Sequence, residues 1–358
     1  MKNLKQEATS YRLNGEYLAA SRVSDELQHS FPEDGVGYTV SLNTLTTRLS
    51  WDTNETVFDK TFKEDASRAL DLCQARIKTD PEDYRGYYHC GQAYFALTYL
   101  HALRGNYYRS GTSGTRAIEH LEKTLTLNPE LIDAKMHLGV AYYYADHLPP
   151  FVKAFSRFFW FIPTGNSDKS LPYVKEVVDK GEYFQDVAKY LYADLLIDGD
   201  DDDRLLATTL LTELVDTYPR NRRFALRHIS LLLERDLDLQ ALQAADEFIS
   251  SKDQYNRDIV DVYLARLWVA RAYLRIGSAE KAVSEFEMID QSSSSSSFPS
   301  WARSWFELTR AQVSDLQNQR ALAVRSYNQV IKMHADYGSN EILTAAKEGL
   351  KAPYSLGN

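Results

Sequence analysis

Four times along this chain an alanine stands twelve residues ahead of a proline: Ala20 and Pro32, Ala69 and Pro81, Ala117 and Pro129, Ala207 and Pro219. Proline ends a helix, because it lacks an N–H and its ring clashes with the preceding turn. An alanine at a fixed distance upstream marks the point where a helix meets its neighbour closely. Around the third pair, Ala117, Ile118, Leu121 and Leu125 form one apolar stripe at helical spacing, and Asn128-Pro129 stops it. A second stripe follows through Ile132, Leu138, Gly139 and Tyr142. Helices joined by so tight a turn lie antiparallel, with small residues where their backbones approach. Ala117 and Gly139 are expected to be those small residues, and Leu121, Leu138 and Tyr142 to fill the seam. Recurrence of such a unit predicts an array in which each piece packs on its neighbours, so that 358 residues need no separate globular cores.

Residues 1–34 show the unit without gaps: Ala8, Tyr11, Ala20 and Pro32, with Asn14-Gly15 turning between two helices. Gly91 and Tyr94, Gly139 and Tyr142, Ala270 and Tyr273, and Ala311, Ala323 and Tyr327 continue the pattern. It resembles the tetratricopeptide repeat. The resemblance implies an all-α solenoid of about eight irregular helix pairs in a right-handed superhelix. A single array over 1–358 is expected, with N-terminal units in 1–131, a unit carrying an aromatic insertion in 132–182, and C-terminal units in 183–358. Units two to four carry extra residues, expected as helical insertions. In unit two these include Trp51-Asp52-Thr53-Asn54, and in unit three the long first helix is expected to break near Gly105-Asn106 or at Ser110-Gly111. From about 84 to 220 the chain also resembles bacterial tetratricopeptide proteins distantly similar to the eukaryotic inclusion-body-clearance family. Gly139 to Tyr144, Leu148-Pro149-Pro150, the aromatic insertion, Pro163 to Asp168, Asp179 to Phe184 and Tyr218 to Asn221 carry that likeness.

A formal net charge of −9 opposes phosphate backbones, so no nucleic-acid partner is expected. Cys73 and Cys90 are too few for a disulfide framework; a reduced compartment, or burial, accounts for both. No apolar run reaches the ~18 residues of a membrane span. The N-terminal residues have no apolar signal core, so the chain is expected in the cytoplasm if Met1 is the native start. Export after removal of a leader is the alternative, because similar bacterial proteins often look exported.

In the insertion, Phe151, Phe155, Phe158 and Phe159 recur at helical spacing. They form either an amphipathic face that docks on a membrane surface or partner, or the lid of a widened core. The second is expected, because soluble proteins rarely expose so large an apolar patch. Asp200 to Asp203 lack the alternation, glycine and terminal glutamate of a calcium loop, and read as acids at a helix start. Arg220, Arg222, Arg223 and Arg227 with His228 are either a seat for an acidic segment or a solvated helix start. No zinc spacing, phosphate loop or nucleophile elbow is present, so no catalysis, metal or cofactor is expected. The carboxylate clamp of chaperone-binding relatives maps to Lys5, Thr9, Val40, Arg85 and His89, of which only Lys5 keeps its residue; chaperone-tail capture is disfavoured. The expected function is a non-catalytic scaffold holding a protein or peptide segment on its concave face. In the family, first-helix positions line that face, which here implies Arg85, Tyr88, Gln92, Phe95, Asp133, Met136, Val140 and Tyr143. The alternative is a membrane- or lipid-associated array using the helix at 151–162.

Overall fold

Helix starts and stops follow two local rules written repeatedly into the sequence. The first ends a helix with one residue in the left-handed region: Gly15, Gly105, Asp236, Gly277 and Asn318 have φ between 59° and 78°. At each, the amide three residues beyond the helix bonds back across six residues, as Glu16 N–H does to the Tyr11 carbonyl at 2.8 Å and Asn106 N–H to His101 at 2.8 Å. This Schellman closure satisfies the last carbonyls, and the next helix begins at once. The second rule follows three of the four prolines: an Asp or Asn two residues on accepts an amide of the next helix. Asp34, Asp83 and Asn221 take the N–H groups of Val36, Arg85 and Arg223, each at 3.0 Å.

In this computed structural model the described residues are 1–146, 167–197, 199–251, 259–289, 296, 298–337 and 340–356. They form an all-α chain of seventeen helices. These are α1 (Lys2–Leu13), α2 (Tyr17–Ser30), α3 (Val36–Leu49), α4 (Asp59–Thr79), α5 (Tyr84–Leu103), α6 (Tyr107–Leu127), α7 (Ala134–Asp146), α8 (Ser167–Lys180) and α9 (Gln185–Leu196). There follow α10 (Asp201–Thr217), α11 (Arg222–Glu234), α12 (Asp238–Ser250), α13 (Ile259–Arg275), α14 (Ala279–Glu287), α15 (Ser300–Leu316), α16 (Arg320–Tyr337) and α17 (Asn340–Lys351). Read in pairs they give eight repeat-like units and a closing helix. Two compact units can be told apart within the chain: residues 1–50 with 55–203, and residues 51–54 with 204–358.

Ala20, Ala69, Ala117 and Ala207 are all fully buried. The seam differs from the one expected, however. Gly139 does not meet α6 but α8: a Cβ there would lie 2.8 Å from the Ser170 carbonyl oxygen and 3.0 Å from Val174 Cγ2. Ala117 packs with Cys73, Cys90 and Tyr94 on α4 and α5. Gly139 therefore serves its own unit's helix pair, while Ala117 meets its own pair at α5 and the preceding pair at α4. Leu121, Leu138 and Tyr142, as expected, share one core cluster. Ala117→Leu is expected to cost about 1–3 kcal/mol by overpacking, and a thermal melt matching the unmodified protein would refute this placement.

In the third pair no separate element is inserted. α5 and α6 are simply long, at 20 and 21 residues, and the break falls at Gly105. Ser110-Gly111 lies inside α6, where the Ser110 hydroxyl donates to the Thr98 carbonyl at 3.0 Å. The two cysteines also depart from expectation. Cys73 on α4 and Cys90 on α5 face one another with Cα atoms 5.5 Å apart and form a disulfide, within the span such bonds require.

In the second unit, Trp51 packs against the core built from α11, α12, α13 and α15. Trp51 and Trp301 meet edge to face at 5.4 Å, and Trp301 Nε1–H donates to the Trp51 carbonyl at 3.0 Å. At the far end, the buried Asp315 carboxylate accepts from Tyr327 Oη at 3.0 Å, from Arg320 at 3.0 Å and from the Tyr354 amide at 2.8 Å. That cluster seats the residues after α17.

Candidate functional site

The first helices of the first three pairs, α1, α3 and α5, converge on a cavity of about 30 Å³. Lys5, Thr9, Arg12, Thr39, Asn43 and Gln92 supply its polar wall, and Tyr88, Tyr183 and Phe184 its aromatic one. It has room for roughly two waters, so it suits the end of one polar side chain rather than a whole ligand.

Asp133 holds the Tyr183–Phe184 wall in place from behind the lining. After Pro129 the capping position is Leu131, and the carboxylate two residues later does a different job. It accepts the backbone N–H groups of Glu182 at 3.0 Å, Tyr183 at 2.9 Å and Phe184 at 3.4 Å. Burial pushes the Asp133 carboxyl up, against the three amides that favour its charged form. Held this way, residues 182–184 fold over the first-helix face. Lys2 pairs with Glu182 at 2.6 Å, the Lys5 ammonium lies 3.8 Å from the Tyr183 ring centroid, and Arg12 lies over Phe184 at 5.6 Å. Phe184 also meets His137 of α7 edge to face at 4.8 Å.

The Lys5 ammonium makes no hydrogen bond or ion pair among the described residues. Burial lowers its ammonium, opposed by the fields of Asp133, Glu182 and Asp34. The nearby Asp34 is fully engaged: it accepts from Arg76 at 2.8 Å and lies 3.2 Å from His89 Nε2. Burial alone would raise the Asp34 carboxyl, but bonds from His89, Val36 and Arg76 outweigh it and hold it well below the usual carboxylate range. Thr39 Oγ1 lies 3.4 Å from His89 Nδ1, which completes a hydroxyl–imidazole–carboxylate row. The row is no nucleophile relay. Thr39 is buried at 2% exposure and its hydroxyl is 3.1 Å from the Val36 carbonyl, within reach to donate to it.

Of the eight residues expected on the binding face, Arg85 is exposed, Phe95 and Tyr143 are half-buried, and Tyr88, Gln92, Asp133, Met136 and Val140 are buried. The segment at 182–184 packs on this face, where Tyr183 and Phe184 line the cavity with Tyr88 and Gln92. Arg85 is held by Asp83 at 2.9 Å, away from the cavity. Lys5, Thr9, Val40 and His89, compared above with a carboxylate clamp, do come together. Arg12, Asn43, Tyr183 and Phe184 join them and were not foreseen; position 12 of the first helix was the available signal for Arg12.

Phe151, Phe155, Phe158 and Phe159 lie outside the described residues, as does the serine run apart from Ser296. The basic cluster is used internally: Arg222 pairs with Asp261 at 3.0 Å, Arg227 with Glu234 at 2.8 Å, and Arg223 lies over Trp51 at 5.1 Å. Asp200 accepts the Asp203 amide at 3.0 Å at the start of α10, as a cap. Among the described residues no group of His, Cys, Asp or Glu is placed to hold a metal, and no helix is long and apolar enough to cross a membrane.

No family model matches the chain, and no curated protein matches it. Solved structures do. The APC/C hetero-tetramer Cut9–Hcn1 is similar at 9% identity over 93% of this chain with a TM-score of 0.55; this chain spans about half of that one, 52%. A tetratricopeptide repeat protein from Parabacteroides merdae is similar at 14% identity over 87% of this chain and 98% of that one, with a TM-score of 0.48. Yeast Tom70 is similar at 12% identity over 98% and 95%, with a TM-score of 0.34. At such identities the likeness is one of fold. The chain is an all-α solenoid of tetratricopeptide-like helix pairs.

Proposed function

We propose that this chain is a non-catalytic scaffold that holds a protein or peptide segment on the face formed by its first helices, concave in proteins of this fold. The observation that carries the reading is Lys5: a half-buried ammonium over the Tyr183 ring, beside a small polar cavity, with no ion-pair partner among the described residues. Leaving such a charge uncompensated is costly, and a carboxylate or carbonyl oxygen from a bound segment would compensate it. The cavity admits only the tip of a side chain or a chain end, so the rest of the segment runs outside it. Arg85, Phe95 and Tyr143, the accessible members of the expected face, are the proposed flanking contacts.

Affinity capture from the native host, with the unmodified chain and with Lys5→Met as paired baits, tests this. Methionine keeps the stem against Tyr183 and removes only the charge. A protein enriched by the first bait and lost, or depleted at least fivefold, with the second is expected. An identical set of captured proteins would dismiss the Lys5 site, and no enrichment over an unrelated bait would dismiss the scaffold.

A further inference from the structure

The second unit carries a tryptophan array on its own first helices. Trp268 of α13 stacks on Trp301 of α15 at 6.1 Å and 17°, and meets Trp305 edge-on at 6.1 Å and 72°. One turn along α13, the Arg271 guanidinium lies 3.7 Å from the Trp305 ring centroid. Arg271 is half-buried, and its guanidinium makes no hydrogen bond or ion pair among the described residues. Its neighbours are already engaged. Arg275 bonds Asp236 and Asp238, and Glu234 is taken by Arg227 at 2.8 Å.

A guanidinium at van der Waals distance from a ring has its orientation fixed by that contact, while its N–H donors stay available to bond in their own plane. A carboxylate meets that fork with two parallel bonds. We propose that Arg271 and Trp305 form a second binding site, for one carboxylate side chain carried beside an apolar residue on a protein segment. The apolar neighbour would lie on the half-buried rings of Trp301 and Trp305. Tryptophan and arginine are the residues on which binding energy concentrates at protein interfaces, and an open platform of rings suits a segment better than an enclosed small molecule.

Charge selects among anions. Glu234 and Glu341 act on Arg271 with their negative fields, and the chain as a whole carries −9. Arg275 acts on Arg271 with a positive field, but Asp236 and Asp238 already hold that second guanidinium. A dianionic phosphate would meet the Arg271 fork against two repelling carboxylates, and a polyanion would meet the net charge as well. A single carboxylate meets the least repulsion.

The test uses the full chain against an immobilised array of hexapeptides, each with one Glu flanked by Pro, Leu, Tyr or Trp. Each has a twin with Gln and a twin with phosphoserine at the Glu position. At least one Glu peptide is expected to bind tenfold or more tighter than its Gln twin, and tighter than its phosphoserine twin. Arg271→Lys keeps a cation over Trp305 but loses the fork, and should weaken that peptide at least fivefold. Lys5→Met should leave it unchanged, which separates this site from the cavity of the first unit. No bound peptide, equal binding of Glu and Gln twins, tighter binding of phosphoserine, or unaltered binding by Arg271→Lys would each overturn the proposal. If the Arg271→Lys thermal midpoint falls, the Glu-to-Gln contrast on the unmodified chain decides.

Discussion

Asp133→Ala is expected to lower the stability of the first unit by about 2–4 kcal/mol, although the side chain removed is itself a buried charge. Removing it relieves the desolvation that pushes this carboxyl up. It also strands three amides, those of Glu182, Tyr183 and Phe184, at about 1–3 kcal/mol for each that water does not reach. The loss outweighs the relief because one small group is replaced by three unmet donors. Gly181 sharpens the point: a Cβ there would lie 2.7 Å from the Val177 carbonyl and 3.0 Å from Asp133 Oδ1, so the segment cannot shift toward α8 to compensate. A fall in thermal midpoint of roughly 6–12 °C is expected for a unit of this size, with faster amide exchange at residues 182–184. A melt within 2 °C of the unmodified protein would show that the segment is held by other means.

The second large effect is one of pH. His137 is 2% exposed, between the rings of Phe95 at 5.1 Å and Phe184 at 4.8 Å. Burial, and secondarily the charge of Arg12, lower its pKa to about 3. The unfolded chain takes up this proton near pH 6.5, and the folded chain refuses it until about pH 3. Within that window the unfolded state binds more protons, so stability falls as pH falls, by about 1.4 kcal/mol per pH unit at the full difference. Above pH 6.5 both states hold a neutral ring and the contribution is level. His137→Phe keeps the ring contacts and removes the titration. Between pH 7 and pH 4 the unmodified protein is expected to lose about 3 kcal/mol more than this variant, read from urea midpoints at each pH. Asp34, whose lowered carboxyl also opposes acid, is present in both proteins and cancels. Parallel curves for the two would refute the assignment.

The periodic part of the fold was legible because it is local. Ala117 to Pro129, and the turns at Asn14-Gly15 and Gly277, are settled within a few residues by sterics and backbone hydrogen bonding. What was not legible depends on residues far apart in the chain. Asp133 reads as one more polar position on a first helix until residues 182–184 arrive to claim it. Cys73 and Cys90 read as two scattered thiols, because whether they bond depends on how two helices are rotated against each other. Gly139 was seen to need a close neighbour, yet its partner was assigned to α6 because that helix was nearer in sequence. The cavity was half legible: Lys5 and Thr9 were brought together by comparison with a carboxylate clamp, while the tyrosine and phenylalanine that close it come from a turn some 180 residues on.

Residues 51–54 give this chain a folding order that a repeat array does not ordinarily have. Stacked repeats can form wherever a nucleus appears, since each needs only its neighbour. The second unit instead counts among its parts a tetrapeptide made long before the rest of it: Thr53 lies 3.0 Å from Ser300 across 247 positions of chain. During synthesis Trp51 waits for Trp301. Closing so long a loop adds little entropy cost beyond a shorter one, since that cost grows only logarithmically, but it makes this contact a late one. A fragment cut to begin at residue 204 would be a unit with a piece missing, its Trp301 indole N–H without the carbonyl that receives it. Such a fragment would be completed by a short peptide carrying Trp51-Asp52-Thr53-Asn54, supplied from outside.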